Sequence, residues 1–228
     1  MPSTAVGRGE LPTGLLTLPG VYRPQADTEL LARALAAESF PPGAEILEIG
    51  TGTGALALSA ADRGAQVTAV DVSWPAVTTA RLNALRRHLP LRILHGDFTS
   101  RTDGRRYDVV LANPPYVPAP SRRPPSRGPS RAWDAGPDGR LVIDRICAAT
   151  PGLLHRGGTL LMVHSTMCDP DRTLRRLAQA GLTGQTTARA RVPWGPVLRE
   201  RRTWLQSQGL AAVGEEHEEL VIIRAQAL

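Results

Sequence analysis

The residues best equipped for chemistry are Asn113-Pro114-Pro115-Tyr116. Two prolines remove two backbone donors and fix φ at successive positions. The Asn113 side-chain oxygen and the carbonyls of Asn113 and Pro114 are left as stiff acceptors, and Tyr116 adds a flat face. Such a cradle suits a planar group carrying an NH2. The nitrogen of an amide or aromatic NH2 is a poor nucleophile because its lone pair is delocalised. Two acceptors holding its hydrogens would aim that lone pair and stabilise positive charge growing on nitrogen. No strong general base is required, and none stands out.

A second set lies upstream. Glu48-Ile49-Gly50-Thr51-Gly52-Thr53-Gly54 falls between an apolar strand pattern and a small-residue helix. Glycines there let the backbone turn sharply and approach a ligand closely. Asp71 ends the next strand and suits both hydroxyls of a ribose. Asp97-Phe98 follows a third strand and offers an acceptor and an apolar face to an adenine. Gly50-x-Gly52-x-x-Ala55 also satisfies the dinucleotide fingerprint. S-adenosylmethionine fits better: the spacing is GxGxG, Glu48 can answer a methionine ammonium, and the Asn-Pro-Pro-Tyr cradle has no role in hydride transfer. Glu48 could instead serve only to hydrogen-bond the turn. The expected cofactor set is Thr28, Glu48, Gly50, Thr51, Gly52, Gly54, Asp71, Val72, Asp97, Phe98 and Asn113, with Asn113 to Tyr116 as the catalytic set and no metal ligands.

These residues need an alternating scaffold to hold them. Helical spacing covers Ala26 to Glu38, with Asp27 as a cap. Strands are expected at Glu45–Ile49, Gln66–Val70, Leu91–Leu94, Tyr107–Ala112, Thr159–His164, Gly184–Arg191 and Leu220–Arg224. Helices are expected at Ala55–Arg63, from Ser73 to about His88, at Leu141–Ala149 and at Pro170–Ala180, with an extra one over Pro196–Gln208. The pattern predicts an α/β three-layer α-β-α sandwich of Rossmann-like type, with a seven-stranded, mostly parallel sheet containing one antiparallel strand. Residues 1–20 read as an irregular tail and 21–228 as one domain, carrying a Pro/Arg-rich loop at 118–131 and an insertion at 193–214.

With these residues assembled, the chain resembles the HemK-type protein glutamine methyltransferases, within the class I S-adenosylmethionine-dependent fold. The resemblance rests on Tyr22-Arg23-Pro24-Gln25-Ala26-Asp27-Thr28-Glu29-Leu30-Leu31, the Gly-rich loop, Asp71, Asp97 and Asn113–Tyr116. It also rests on Trp133-Asp134-Ala135-Gly136-Pro137-Asp138-Gly139 and Asp144-Arg145-Ile146. That last stretch separates the family from adenine methyltransferases sharing the tetrapeptide. The resemblance implies methylation of the glutamine amide in the Gly-Gly-Gln loop of translation release factors. It points to the short archaeal and eukaryotic branch, without the helical N-terminal domain usual in bacterial members. Members of that branch pair with a small zinc-containing activator at the third-strand edge, here around Leu91 and Ile93, an edge that a homodimer could also cover. The segment at 193–214 departs from the branch. A nucleic-acid base methyltransferase, a peptide or natural-product tailoring enzyme, and a cofactor-binding module without turnover are the rival readings.

Composition agrees with an intracellular enzyme. The chain has 228 residues, is 42% apolar and only 4% aromatic, so aliphatic side chains must fill its core. Two cysteines cannot make a disulfide framework, and a reducing, cytoplasmic setting is expected. No signal peptide is visible, and no stretch is long enough to span a membrane. The net charge is +6, carried by arginine without a single lysine. That balance suits nucleic acid, but GC-rich coding, which favours Arg, Ala, Gly and Pro together, is the preferred reading, a modest positive charge being a solubility argument first. Arg122, Arg123, Arg127 and Arg131 form either a phosphate- or acid-binding loop or a solvated one. His164 and Cys168 read as filler, and Glu215 to Glu219 as a solvated loop.

Overall fold

The computed structural model describes residues 9–102, 104–123, 125 and 128–228. In chain order the elements are α1 (Ala26–Ala37), β1 (Glu45–Ile49), α2 (Ala55–Asp62), β2 (Gln66–Asp71), α3 (Trp74–Arg86), β3 (Leu91–His95), the one-turn α4 (Phe98–Arg101) and β4 (Tyr107–Ala112). Then follow α5 (Leu141–Leu153), β5 (Leu154–Ser165), α6 (Pro170–Gln179), β6 (Leu182–Pro193), the short helices α7 (Pro196–Glu200) and α8 (Arg202–Ser207), and β7 (His217–Ala227). The sheet order is β3-β2-β1-β4-β5-β7-β6. Strand β7 runs antiparallel to both neighbours and every other pairing is parallel. This is the Rossmann-like methyltransferase sheet that the alternating pattern predicts.

The central strands are buried on both faces, as parallel strands between helical layers must be. Ile46, Leu47, Val110, Leu111, Leu160 and Ile222 have no solvent exposure. Strand order reverses beside β1, whose neighbours are β2 and β4, so their carboxyl ends open a crevice where such sheets bind ligands. Gly54 caps the start of α2, and a Cβ there would lie 3.2 Å from that of Ala80, so glycine permits the close approach of α2 to α3.

Several boundaries differ from expectation for physical reasons. Strand β5 starts at Leu154, and Gly157-Gly158 sits within it. The register against β4 shifts between Tyr107 and Val109, and a Cβ on Gly158 would lie 2.9 Å from the Tyr107 carbonyl. The glycine pair therefore marks a bulge rather than a strand start. Helix α5 continues through Pro151. The extra helix splits into α7 and α8, closed over a separate small core of Trp194, Leu198 and Leu205. Strand β7 begins at His217, so Glu218 is no longer in a solvated loop.

The segment 9–20 is irregular but not loose; residues 1–8 of the expected tail lie outside the described set. The Leu16 N–H donates to Asn83 Oδ1 at 2.8 Å, and Asn83 Nδ2 donates to the Leu16 carbonyl at 3.0 Å. Leu11 and Leu15 pack on the main core. Asp27 does not cap α1. Gln25 holds that position, and Asp27 is a buried residue of the first turn.

Candidate active site

Strand β4 ends at Ala112 and delivers Asn113–Tyr116 to the crevice. Asn113 Nδ2 donates to Thr28 Oγ1 at 3.3 Å, and among the described residues none donates to its Oδ1. Thr28 in turn gives its N–H (2.6 Å) and hydroxyl (3.1 Å) to Asp27 Oδ1. Asp27 Oδ2 accepts the Tyr22 hydroxyl at 3.1 Å and the Tyr116 hydroxyl at 3.4 Å. One buried carboxylate thus organises the tetrapeptide from both ends, through Thr28 to Asn113 and directly to Tyr116. Burial, and then the Asp27 charge, hold the Tyr22 and Tyr116 phenols well above their ordinary range. Behind the tetrapeptide, Cys168 Sγ donates to the Tyr116 carbonyl at 3.1 Å. A Cβ on Gly139 would lie 2.4 Å from that same carbonyl, so only glycine fits there.

On one side of the tetrapeptide runs a cleft in two compartments. The first, about 130 Å³, is lined by Thr28, Glu48, Gly50, Thr51, Gly52, Asp71, Val72, Asn113, Pro115 and Arg131 among others. The second, about 250 Å³, is lined by Asp71, Val72, Asp97, Phe98, Pro114, Arg131 and Arg145 among others. Ten of the eleven residues expected to hold a cofactor therefore line this cleft. Gly54 does not; it serves packing against α3.

The carboxylates of the cleft differ in state. Glu48 is 3% exposed, and its Oε2 accepts the Thr51 hydroxyl at 2.5 Å and the Ala57 N–H at 3.2 Å. It thus holds the turn as well as lining the cavity. Burial pushes its carboxyl up to about 8, against those two hydrogen bonds. Asp71 Oδ2 accepts the Gly52 N–H at 3.0 Å and Oδ1 the Ser73 N–H at 2.8 Å, so one acceptor site per oxygen is used by backbone. Burial raises its carboxyl despite those bonds. Asp97 goes the other way. Burial works to raise it, but Thr99 and Arg145 outweigh that, and it lies below its ordinary range. Its Oδ1 takes the Thr99 hydroxyl (2.6 Å) and its Oδ2 the Arg145 guanidinium (2.7 Å). The carboxylate is therefore already engaged by Arg145, whose guanidinium also lies 5.6 Å above the Phe98 ring.

Two arginines of this cleft stand outside the expected cofactor set. Arg131 donates to the Val72 carbonyl at 3.2 Å and lies beside Asp71, so the basic loop roofs the cleft. The loop neck is pinned where the Val117 N–H meets the Trp133 carbonyl at 2.8 Å and the Ala135 N–H meets the Val117 carbonyl at 3.0 Å. Arg122 and Arg123 are exposed; Arg127 lies outside the described residues. Arg145 sits in the quoted family segment, whose neighbour Asp144 binds the buried Arg140 at 2.7 Å. His164 is buried, and burial pushes its imidazole down to about 4, which fits filler.

Beyond the tetrapeptide lies a third cavity, of about 280 Å³, lined by Tyr22, Asp27, Tyr116, Val117, Trp133, Leu198 and Glu218 among others. Burial lifts the Glu218 carboxyl to about 7; the Ser165 hydroxyl opposes the rise and Asp27 adds to it.

Residues 13–122 match the family model described as the methyltransferase small domain. A Methanocaldococcus jannaschii protein assigned as a protein N5-glutamine methyltransferase is 31% identical over 79% of this chain and 90% of its own length. The chain belongs to the HemK/Mtq2-type N5-glutamine methyltransferases. These are S-adenosylmethionine-dependent enzymes, and the match over nearly the whole archaeal protein puts the chain in the short branch of the family. The release factor glutamine methyltransferase of Moorella thermoacetica is 36% identical over 71% of this chain but only 60% of its own length. Among solved structures, the E. cuniculi Mtq2–Trm112 complex responsible for methylation of eRF1 superposes with a TM-score of 0.62 at 21% identity, covering 92% of this chain and 99% of that one. The site fits the family's cofactor: a buried carboxyl lines the first compartment, where an ammonium would satisfy it and a phosphate would not.

Proposed function

We propose that the chain methylates the side-chain amide nitrogen of a protein glutamine, the Gly-Gly-Gln glutamine of a translation release factor being the first acceptor. The observation that carries this reading is the Asn113 amide. Its NH2 is tied to Thr28, no described residue donates to its Oδ1, and it lines the cofactor cleft while Tyr116, three residues on, lines the third cavity. Asn113 Oδ1 and the Pro114 carbonyl take the two hydrogens of the acceptor amide, and Tyr116 packs on its plane. Glu48 meets the cofactor's ammonium, Asp71 the ribose, and Asp97 with Phe98 the adenine, with Thr28, Gly50, Thr51, Gly52 and Val72 shaping the floor. S-adenosylmethionine supplies the methyl as a sulfonium; the protein's part is alignment, which suffices for an in-line displacement.

The edge strand β3 is the docking place for an activator protein of the kind seen with Mtq2. Ile93 itself is buried in the core, so the edge offers backbone, while Trp74, Leu82 and Leu85 on adjacent α3 supply exposed apolar surface. Nucleic acid is the second reading, supported only by exposed arginines on the loop. The test is transfer of labelled methyl into recombinant release factors, total RNA and peptide pools, with and without the activator. Label in release factor alone is expected; label in RNA alone overturns the reading.

A further inference from the structure

The methyl donor lies over the ends of β1 and β2, and the acceptor nitrogen must sit at Asn113, at the end of β4. The rest of the acceptor has to leave on the side away from the donor, toward β5 and β7. The third cavity is there. Its walls come from distant parts of the chain: Tyr22 before α1 and Asp27 in its first turn, Tyr116 of the tetrapeptide, Trp133 of the loop neck, Glu218 of β7, and the 193–214 segment through Val197 and Leu198. The segment is no loose insertion. Arg201 donates to the Pro118 carbonyl at 2.9 Å and pairs with Asp134 at 2.6 Å, which ties α7 and α8 to the neck of the roofing loop.

Two carboxyl groups line this cavity, and among the described residues no arginine pairs with either. Asp27 is satisfied by hydroxyls and one N–H. Glu218 is not: its Oε2 is shut off from solvent and has no hydrogen-bond partner among the described residues. A buried acceptor left without a donor is costly and rare in native structures, so an occupant of the cavity is its natural partner.

We infer that this cavity is the acceptor cleft, that the 193–214 segment forms its outer wall, and that Glu218 accepts a hydrogen bond from an N–H of the peptide flanking the methylated residue. The inference rests on the amide-methylation reading and adds what the acceptor must bring: an N–H donor beside the target, backbone or cationic, and no phosphate. A nucleic acid threaded through the cleft would set phosphates against Asp27 and Glu218. A glycine-rich loop suits the cleft, because its backbone N–H groups are unshielded by side chains.

The experiment compares wild type, Glu218→Gln and Val197→Trp on whichever pool takes up labelled methyl. Glu218→Gln preserves shape and removes the carboxylate; Val197→Trp narrows the cleft from the half-buried outer wall, leaving both carboxyls intact. Both should raise KM for a protein or peptide acceptor about tenfold or more, with kcat within about threefold and cofactor affinity unchanged by calorimetry, which loss of fold would not spare. If the labelled acceptor is a release factor, both readings stand. If it is another protein and KM still rises, the cleft stands and the release-factor reading falls. Unchanged KM in both variants overturns the cleft while leaving the release-factor reading intact. Label in RNA, or in nothing, overturns both.

Discussion

On one side of Asn113–Tyr116 the cleft has at its floor two loops, residues 48–53 and 71–73, much of whose offer is backbone, with residues 20–24 and 128–132 closing over them. On the other side it is lined by side chains from opposite ends of the chain, Tyr22, Asp27, Trp133 and Glu218, brought together only by the sheet. A backbone-lined site needs glycine spacing and little else, and many sequences can supply it without changing the ligand. A site of long-range side chains is set by the placement of β7 against β5 and by what packs over it, so it can be retuned for a new acceptor while the donor side stays the same. The tetrapeptide belongs to both, with Asn113 and Pro115 facing the donor cleft and Tyr116 the third cavity.

If that division holds, the two sides should fail in different measurements. The largest effect is expected at the wall itself. Asn113→Ala should lower kcat by about 10²–10³-fold, the cost of losing a transition-state hydrogen bond, while S-adenosylmethionine affinity in calorimetry stays within a few-fold. A parallel fall in both would erase the division. Asp71→Ala should do the reverse, weakening cofactor binding by about 1.5–3 kcal/mol, the scale of a hydrogen bond to a charged group, with acceptor KM unchanged. Undiminished affinity would remove Asp71 from the site.

Glu48 sharpens the donor side through pH. Its carboxyl titrates near 8 in the folded protein, so below that pH the free enzyme carries a proton that an incoming ammonium must displace. Affinity should rise with pH, by about fivefold between pH 7 and 8. Proton release should appear as a buffer-dependent calorimetric heat, and Glu48→Gln should abolish both signals. The smallest effect is expected from Arg145→Ala. The Arg145–Asp97 pair is half-exposed at 51% and 36%, so stability should shift by no more than about 1 kcal/mol. The Asp97 carboxyl should move back up in an NMR titration.

The same division explains what could be read from the chain before its fold. Strand positions and the expected donor residues follow from local patterns: a strand, three glycines, an acid at or just after the end of the next two strands. Gly54 does not line the cleft and packs against α3, and a glycine required for helix contact looks the same in sequence as one required by a ligand. Asp27 read as a helix cap because a first-turn acid is common, and nothing nearby announces that its partners are Tyr116 and, through Thr28, Asn113. Glu218 sits in a run of acids that reads as solvated loop; β7 inserting between β5 and β6 half-buries it and shuts its Oε2 off from solvent. Only Trp133 to Arg145 hinted at the acceptor side. Its buried Arg140, bonded to the Cys168 and Asp169 carbonyls and to Thr173, holds the tetrapeptide's support in place rather than touching a ligand.

The most direct test of the central claim is the position of the transferred methyl. Wild-type enzyme, with labelled S-adenosylmethionine and a release factor, should give a product whose fragmentation spectrum puts the methyl on the amide nitrogen of the Gly-Gly-Gln glutamine. Replacing that glutamine with glutamate should leave no label. A methyl group on any other atom, or undiminished labelling of the glutamate variant, would contradict the assignment of Asn113–Tyr116 as an amide cradle.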